Sequence, residues 1–275
     1  MDLPGEIKVH SQPTPRLGGL GILLAFVFSL SILLIVLNLS IPDYPELLVL
    51  FVLLASLAVV GYLDVVRDLQ ASLRFVLEGI IGVILVLAVI GANANWMILT
   101  ISWFWVVGLI NAYNFLDGLD GLAGSIATIN LSALAIMLLV SGNGFFAFVA
   151  ANLALATCGF LRFNWPPATI FMGDIGSLSL GFVISALSLI LLVEKSFSAN
   201  AILAVTLAAV LPLGDLVATV FRRLMSGKSL FQGDRGHFYD LLVDRGGLSK
   251  PKAMYFSLLV ALLISSLGVV IFVFL

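Results

Sequence analysis

The chain reads as long apolar runs separated by short polar punctuation. Runs long enough to cross roughly 30 Å of hydrocarbon at about 1.5 Å per residue lie near 18–38, 46–63, 74–91, 97–114, 122–141, 144–163, 175–193, 199–221 and 253–275. The pattern predicts an all-α, polytopic membrane bundle of about nine transmembrane helices, with residues 1–275 forming a single membrane domain. Residues 1–17 are polar and contain Pro4, Pro13 and Pro15. They do not resemble a cleaved signal peptide, so the first run is expected to be a permanent helix. No repeat of fixed period and no low-complexity tract is present, and the paired broken helices of a transporter repeat are not evident.

Composition agrees with this pattern. The chain is 61% hydrophobic and 10% charged, with a mean hydropathy of +1.20, whereas a soluble domain needs about a quarter of its residues charged. The charges then predict orientation. With residues 1–17 inside, Lys8, Arg16, Arg67, Arg74, Arg162, Arg222, Arg223, Lys228, Arg235, Arg245, Lys250 and Lys252 all fall on the inner side. Only Lys195 falls outside, as expected of a membrane protein with a cytoplasmic N-terminus. Asp43, Glu46 and Glu194 are outside, and the other acidic residues and both histidines, His10 and His237, cluster at inner helix ends. Function is therefore expected at the cytoplasmic face, near 1–17, 64–73, 111–121, 164–174 and 222–252. The lone Cys158 lies in a span, which excludes a disulfide or a cysteine metal site within one chain.

Three clusters carry candidate chemistry. In NAYNFLDGLDGLAG (111–124), Asn111, Asn114, Asp117 and Asp120 recur every third residue beside Gly118, Gly121 and Gly124. On a continuous helix that spacing would spread them over half the surface. A helix end followed by a tight turn would let them converge, whereas a plain hydrated turn explains one Asp-Gly but not the whole pattern. In NWPPATIFMGDIGS (164–177), Asp174 precedes the next span and either caps a helix or binds a divalent cation, with Gly173 and Gly176 admitting phosphates to backbone N–H groups. The third set comprises Asp64, Arg67, Asp68 and Arg74, together with Asp215, which follows Pro212 within a span. An ionisable group at that depth is a functional candidate or a structural partner of Arg222 or Arg223. Glu78, a turn beyond Arg74, is either an ion-pair partner or a lipid-site residue. Carboxylates, arginines, a histidine and glycine turns on one membrane face suit the joining of a soluble diphosphate to a lipid phosphate. A cation must bridge the two anions, and Mg2+ takes one or two carboxylates plus substrate phosphates.

The chain resembles the polyprenyl-phosphate N-acetylhexosamine-1-phosphate transferase superfamily. The resemblance rests on six ordered blocks, HSQPTPRLGGLGI (10–22), GYLD (61–64), NAYNFLDGLDGLAG, NWPPATIFMGDIGSLSLG (164–181), LPLGD (211–215) and DRGHFYDLL (234–242). It implies a Mg2+-dependent enzyme, with Mn2+ as an alternate, that transfers a sugar 1-phosphate from a UDP-sugar to undecaprenyl or another polyprenyl phosphate. UMP is released and synthesis of a cell-surface glycan such as lipopolysaccharide begins. The setting is the plasma membrane bilayer, no nucleic acid is involved, and homodimers are common in the family. By the same resemblance Asp174 is the metal carboxylate, and Asp117 and Asp120 organise the metal and nucleotide region. Asn114 and Asn164 are active-site amides, Phe171 an aromatic near the uracil, Asp64 a residue near the lipid phosphate, and His237 the first histidine of a cytoplasmic motif. Thr14, Arg74, Asn111, Asp215, Asp234 and Arg235 fall in or beside matching blocks and are taken with the substrate-binding set.

The chain departs from the family pattern at Val65, where a second aspartate is usual; Asp68, one helical turn from Asp64, could compensate. His-Phe-Tyr-Asp (237–240) replaces a multi-histidine motif, which argues against the muramoyl-pentapeptide enzyme of the family. The chain also begins where a preceding helix is usual. Attack by the lipid phosphate in one step and an aspartyl-enzyme intermediate both remain open. A CDP-alcohol phosphotransferase is disfavoured because no Asp occurs between Asp120 and Asp174. An ion-coupled transporter would not need its polar groups on one face.

Overall fold

A computed structural model of the chain describes residues 14–36, 38, 45–230 and 235–275. His10, Lys8, Asp43 and Asp234 lie outside the described residues. The described residues form eleven helices: α1 (Gly18–Val36), α2 (Pro45–Arg67), α3 (Ala71–Ile90), α4 (Trp96–Leu116), α5 (Leu122–Ser141), α6 (Gly144–Asn164), α7 (Gly173–Glu194), α8 (Ala199–Ala208), α9 (Val210–Met225), α10 (Phe238–Asp244) and α11 (Lys250–Phe274). Eight of them are long and apolar enough to cross a bilayer, and the protein is a multi-pass membrane protein. Helix ends differ from the apolar runs in a consistent way. α2 and α4 run past the inner ends of their apolar stretches and α3 begins before its own, so Asp64 stands on a helix rather than in a loop, while Arg74, Asn111 and Asn114 stand on helices as the runs predict.

The predicted span at 199–221 is broken. α8 and α9 meet at a 74° bend. Pro212 lacks the N–H that would donate to the Ala208 carbonyl four residues back. Ser265 Oγ of α11 lies 3.4 Å from that carbonyl and shares its one proton between it and Asn130 Oδ1. The same hydroxyl donates to Asn130 Oδ1 at 3.2 Å, and Asn130 Nδ2 donates to the Tyr113 hydroxyl oxygen at 2.6 Å. α4, α5, α8 and α11 are thus joined by one satisfied polar chain inside an apolar bundle.

α7 is the axis of the fold. Its hydrophobic window is entirely buried, and α1, α2, α3, α4, α5, α6 and α8 all pack on it. Without water to drive helices together, close backbone contact at small residues does much of the work of association in a membrane. Gly61 of α2 sits where an added Cβ would be 2.7 Å from Ile175 N, and at Gly181 a Cβ would be 2.5 Å from Leu109 O of α4. In both cases the obstacle is backbone, which cannot rotate aside. Gly61→Val is therefore expected to lower the melting temperature of the detergent-solubilised protein strongly, by the order of the ~1–3 kcal/mol that overpacking costs or more. Gly21→Ala, which faces open space, should leave it unchanged; equal melting temperatures for the two variants would remove close packing on α7 as the organising contact.

Candidate active site

The first turn of α7 is held by the chain that precedes α1. Phe171 N donates to Pro15 O at 2.8 Å, Gly18 N to Phe171 O at 2.9 Å and Gly19 N to Met172 O at 2.9 Å. This pairing carries the buried Thr14 and the cavity-lining Arg16 to the α7 terminus. It also leaves no room for a side chain at Gly173, whose φ is +67° and whose added Cβ would lie 2.4 Å from Arg16 O. Only glycine fits there.

Asp174, in that first turn, meets α2 and α3. Arg74 Nη1 lies 2.5 Å from Asp174 Oδ2 and 3.3 Å from Asp64 Oδ2. Its Nη2 donates to Asn114 Oδ1 at 3.3 Å, and Asn114 Nδ2 donates to Ser177 Oγ at 3.2 Å. Arg74 Nε stands 3.5 Å from Glu78 Oε1, and Asn111 Nδ2 donates to Glu78 Oε2 at 2.6 Å. One guanidinium is thus shared among three carboxylates and an amide. Asp68, in contrast, is exposed just past the end of α2, with φ +50°.

The two flanking loops are tied to each other by residues expected to be catalytic. Asp117 Oδ2 accepts from Gly173 N at 3.1 Å and Asp120 Oδ2 from Ala168 N at 3.0 Å. Asn164 Oδ1 accepts from Gly121 N at 3.0 Å while its Nδ2 donates to Ile170 O at 2.9 Å. Each aspartate uses one oxygen in this way and also lines the cavity described below. Burial pushes the Asp117 carboxyl up to about 7; Asp174 adds to the shift, and Arg16 opposes it.

α9 and α10 supply the remaining wall. Asp215 Oδ2 lies 2.7 Å from His237 Nδ1, and its Oδ1 accepts from Phe238 N at 2.7 Å. Of the two readings of Asp215, a functional carboxylate or a structural partner of Arg222 or Arg223, the contact with His237 takes the place of the arginine pair. Because a carboxylate only accepts, Nδ1 carries the proton, and the lone pair of the neutral ring is on Nε2. The imidazole is stacked on Tyr239 at 5.4 Å and meets Phe115 edge-on at 5.1 Å. Tyr239 donates to Phe115 O at 3.1 Å. Arg235 pairs with Asp244 at 2.9 Å and approaches Asp240 at 3.9 Å.

These elements enclose a cavity of about 1060 Å³. Of the residues singled out in the sequence, Arg74, Asn111, Asn114, Asp117, Asp120, Asn164, Phe171, Arg235 and His237 line it. Asp64, Asp174, Asp215 and Thr14 stand behind that wall: the first two lie behind Arg74, and Asp215 lies behind His237. The opposite wall is apolar, from Trp103 and Val107 on α4 to Leu213, Leu216, Val217 and Val220 on α9. Measured along α4, the cavity runs from the helix end at Leu116 to Trp103, roughly 20 Å into the span. Arg16, Tyr239 and Arg223, whose guanidinium lies 5.2 Å over the Phe115 ring, were not singled out as site residues. Arg16 beside Gly18-Gly19 was the one legible signal among them.

Among the described residues, no three histidine, cysteine or acidic side chains stand close enough to cage a metal ion by themselves. The set nevertheless fits a hard cation shared with a substrate phosphate. It offers oxygen donors only, at Asp174 with Asp64 and Asp117 about it, and a positive Nη1 already occupies the place between Asp64 and Asp174.

Comparison with known proteins agrees with this geometry. A family model described as glycosyl transferase family 4 matches residues 47–192, from α2 through α7. A Bacillus subtilis protein named probable undecaprenyl-phosphate N-acetylglucosaminyl 1-phosphate transferase is 31% identical over 260 residues, covering 90% of this chain and 70% of the relative. The undecaprenyl-phosphate alpha-N-acetylglucosaminyl 1-phosphate transferases of Yersinia pestis and Escherichia coli are 30% and 28% identical, each matched over 98% of this chain and 76% of its own length. With its central helices and the residues around Asp174 inside the matched region, the chain belongs to glycosyl transferase family 4.

Proposed function

We propose that the protein transfers an N-acetylhexosamine 1-phosphate from a UDP-sugar to undecaprenyl phosphate, releasing UMP, at the cytoplasmic face of the plasma membrane. One observation carries this reading: a single cavity, reaching roughly 20 Å along α4, has polar, charged residues at the helix ends and an apolar wall from α4 and α9 deeper in the span. A soluble diphosphate and a lipid phosphate need those two environments to meet. The positive-inside charge distribution supports the cytoplasmic placement. The apolar wall suits the polyprenyl chain, and the residues at the helix ends suit the two anions.

Asp174, with either Asp64 or Asp117 beside it and oxygens of the substrate phosphates completing the shell, would hold Mg2+ or Mn2+. Bound there, the cation would screen the diphosphate and favour attack at the β-phosphorus. An oxygen of the lipid phosphate forms the new bond to the β-phosphorus as the bond to the bridging oxygen breaks, and that oxygen leaves on UMP. The lipid phosphate has its second pKa near 6, so it needs little help to ionise. His237, its Nδ1 fixed by Asp215, presents a neutral nitrogen that takes the remaining proton, and the Asp215 carboxylate stabilises the imidazolium so formed. Asn114, Phe171 and Arg235 line the side available to the nucleotide. Asp120 and Asn164 keep the two loops in register.

Purified protein given undecaprenyl phosphate, Mg2+ and a panel of UDP-sugars beginning with UDP-N-acetylglucosamine is expected to release UMP. EDTA and Asp174→Ala should abolish release, whereas His237→Ala should reduce it by less than about tenfold at pH 7 and by more as the pH is lowered, because the lipid phosphate is already largely ionised at pH 7. No release with any sugar would overturn the reading. A second expectation concerns pH. The folded protein holds a proton on Asp117 that the unfolded chain sheds near pH 4, so this group's contribution to stability falls as pH rises through about 7. In EDTA the melting temperature should decline between about pH 4 and pH 7, and Asp117→Asn should flatten part of that decline. An unchanged slope in the variant would show that Asp117 is not the group responsible.

A further inference from the structure

Glu78 is wholly buried on α3, and its Oε1 has no hydrogen-bond partner. Its other oxygen is pinned by Asn111 Nδ2, so the carboxylate cannot swing away to find one. A buried polar atom left in this state requires a reason. Arg74 Nε stands 3.5 Å from it, one helical turn away. A closure of roughly half an ångström would bring it to ordinary hydrogen-bond length. What holds the guanidinium back is its other end, where Nη1 is drawn to Asp174 and Asp64.

We propose that Glu78 is a positioning residue that receives Arg74 when a divalent cation takes Asp174, so that the guanidinium serves as an exchangeable placeholder. The proposal rests on the reading of Asp174 as a cation ligand. A cation and Nη1 cannot share the same Asp174 oxygen, because like charges at such distance repel strongly in a partly buried site. The displaced guanidinium needs an acceptor at once, since an uncompensated buried charge is costly. Glu78 Oε1 supplies it with almost no motion, and Nη2 can remain near Asn114. In this scheme Glu78 never touches the cation or the substrate. It sets how easily Arg74 yields.

The test reads cation binding without substrate. Detergent-solubilised protein is titrated with Mg2+ alone and its melting temperature followed, for wild type, Glu78→Gln, Arg74→Gln and the double variant. Glutamine keeps the shape of Glu78 and can still accept from Asn111. The midpoint of Mg2+ stabilisation is expected to rise tenfold or more in Glu78→Gln, because Arg74 then stays on Asp174. In the double variant, which has no guanidinium to displace, it should return to the wild-type value or below. A role confined to folding would lower the melting temperature without Mg2+ and leave the midpoint in place. A Glu78→Gln midpoint within twofold of wild type overturns the proposal. So does a raised midpoint that persists in the double variant, or a wild-type protein that Mg2+ does not stabilise. Intact Mg2+ stabilisation with no UMP release would instead count against the transferase reading alone.

Discussion

The enclosure of α7 governs the rest of the molecule. A helix with no lipid-facing surface can be surrounded only if its neighbours come close, and Gly61 and Gly181 allow α2 and α4 to do so. Its first turn then lies among protein atoms rather than water, and that turn carries Asp174. A carboxylate there must be neutralised by whatever the neighbouring helices bring. α3 brings Arg74, α2 adds a second carboxylate at Asp64 that competes for the same guanidinium, and α4 orients it through Asn114. Packing and electrostatics therefore converge on one point: the helices that crowd α7 most closely are also those that bear the polar residues about its head.

That convergence explains which parts of the protein were legible in the sequence. Eight long apolar helices could be read from hydropathy because lipid enforces length and composition. The bend at 208–210 could not, although Pro212 marks it. A proline breaks one hydrogen bond, but whether the span kinks or stays straight depends on a partner such as Ser265, which is distant in sequence. The convergence of the Asn-x-x-Asn-x-x-Asp pattern was foreseen from its glycines. Its division of labour was not: Asn111 and Asn114 stand on the last turns of α4, while Asp117 and Asp120 anchor backbone N–H groups of the loop before α7.

Other residues changed meaning because their partners are remote. Asn164 spends both ends of its amide on loop closure, a use that no local pattern reveals. Asp215 could be read as a functional carboxylate or as a partner of the arginines about two turns along its own helix; it serves a histidine on the far side of a loop. Asp68 looked like a substitute for the carboxylate absent at Val65, but the chain leaves the helix there and turns it outward. Glu78, which the sequence offers as an ion-pair partner of Arg74 or a lipid-site residue, does stand 3.5 Å from Arg74 Nε, but its oxygen left without a hydrogen-bond partner shows only in the fold.

α9 shows how the two halves of the proposed reaction can share one element. Its buried face is polar, with Asp215, Thr219 and Arg223 a turn apart, and its apolar residues, among them Val217 and Phe221, are exposed. In water such a helix would be inside out. Beside lipid it is correctly disposed, because its exposed apolar side, which also lines the cavity at Val217 and Phe221, suits hydrocarbon while the inner face fixes the ring of His237. Leu213, Leu216 and Val220 meanwhile complete the apolar wall of the cavity. The bend at Pro212 is what turns this helix away from the line of α8. A straight span would carry Asp215 along the α8 axis and away from the loop that bears His237. The proline that interrupts the membrane helix thus also sets one helix between the apolar wall of the cavity and the ring of His237.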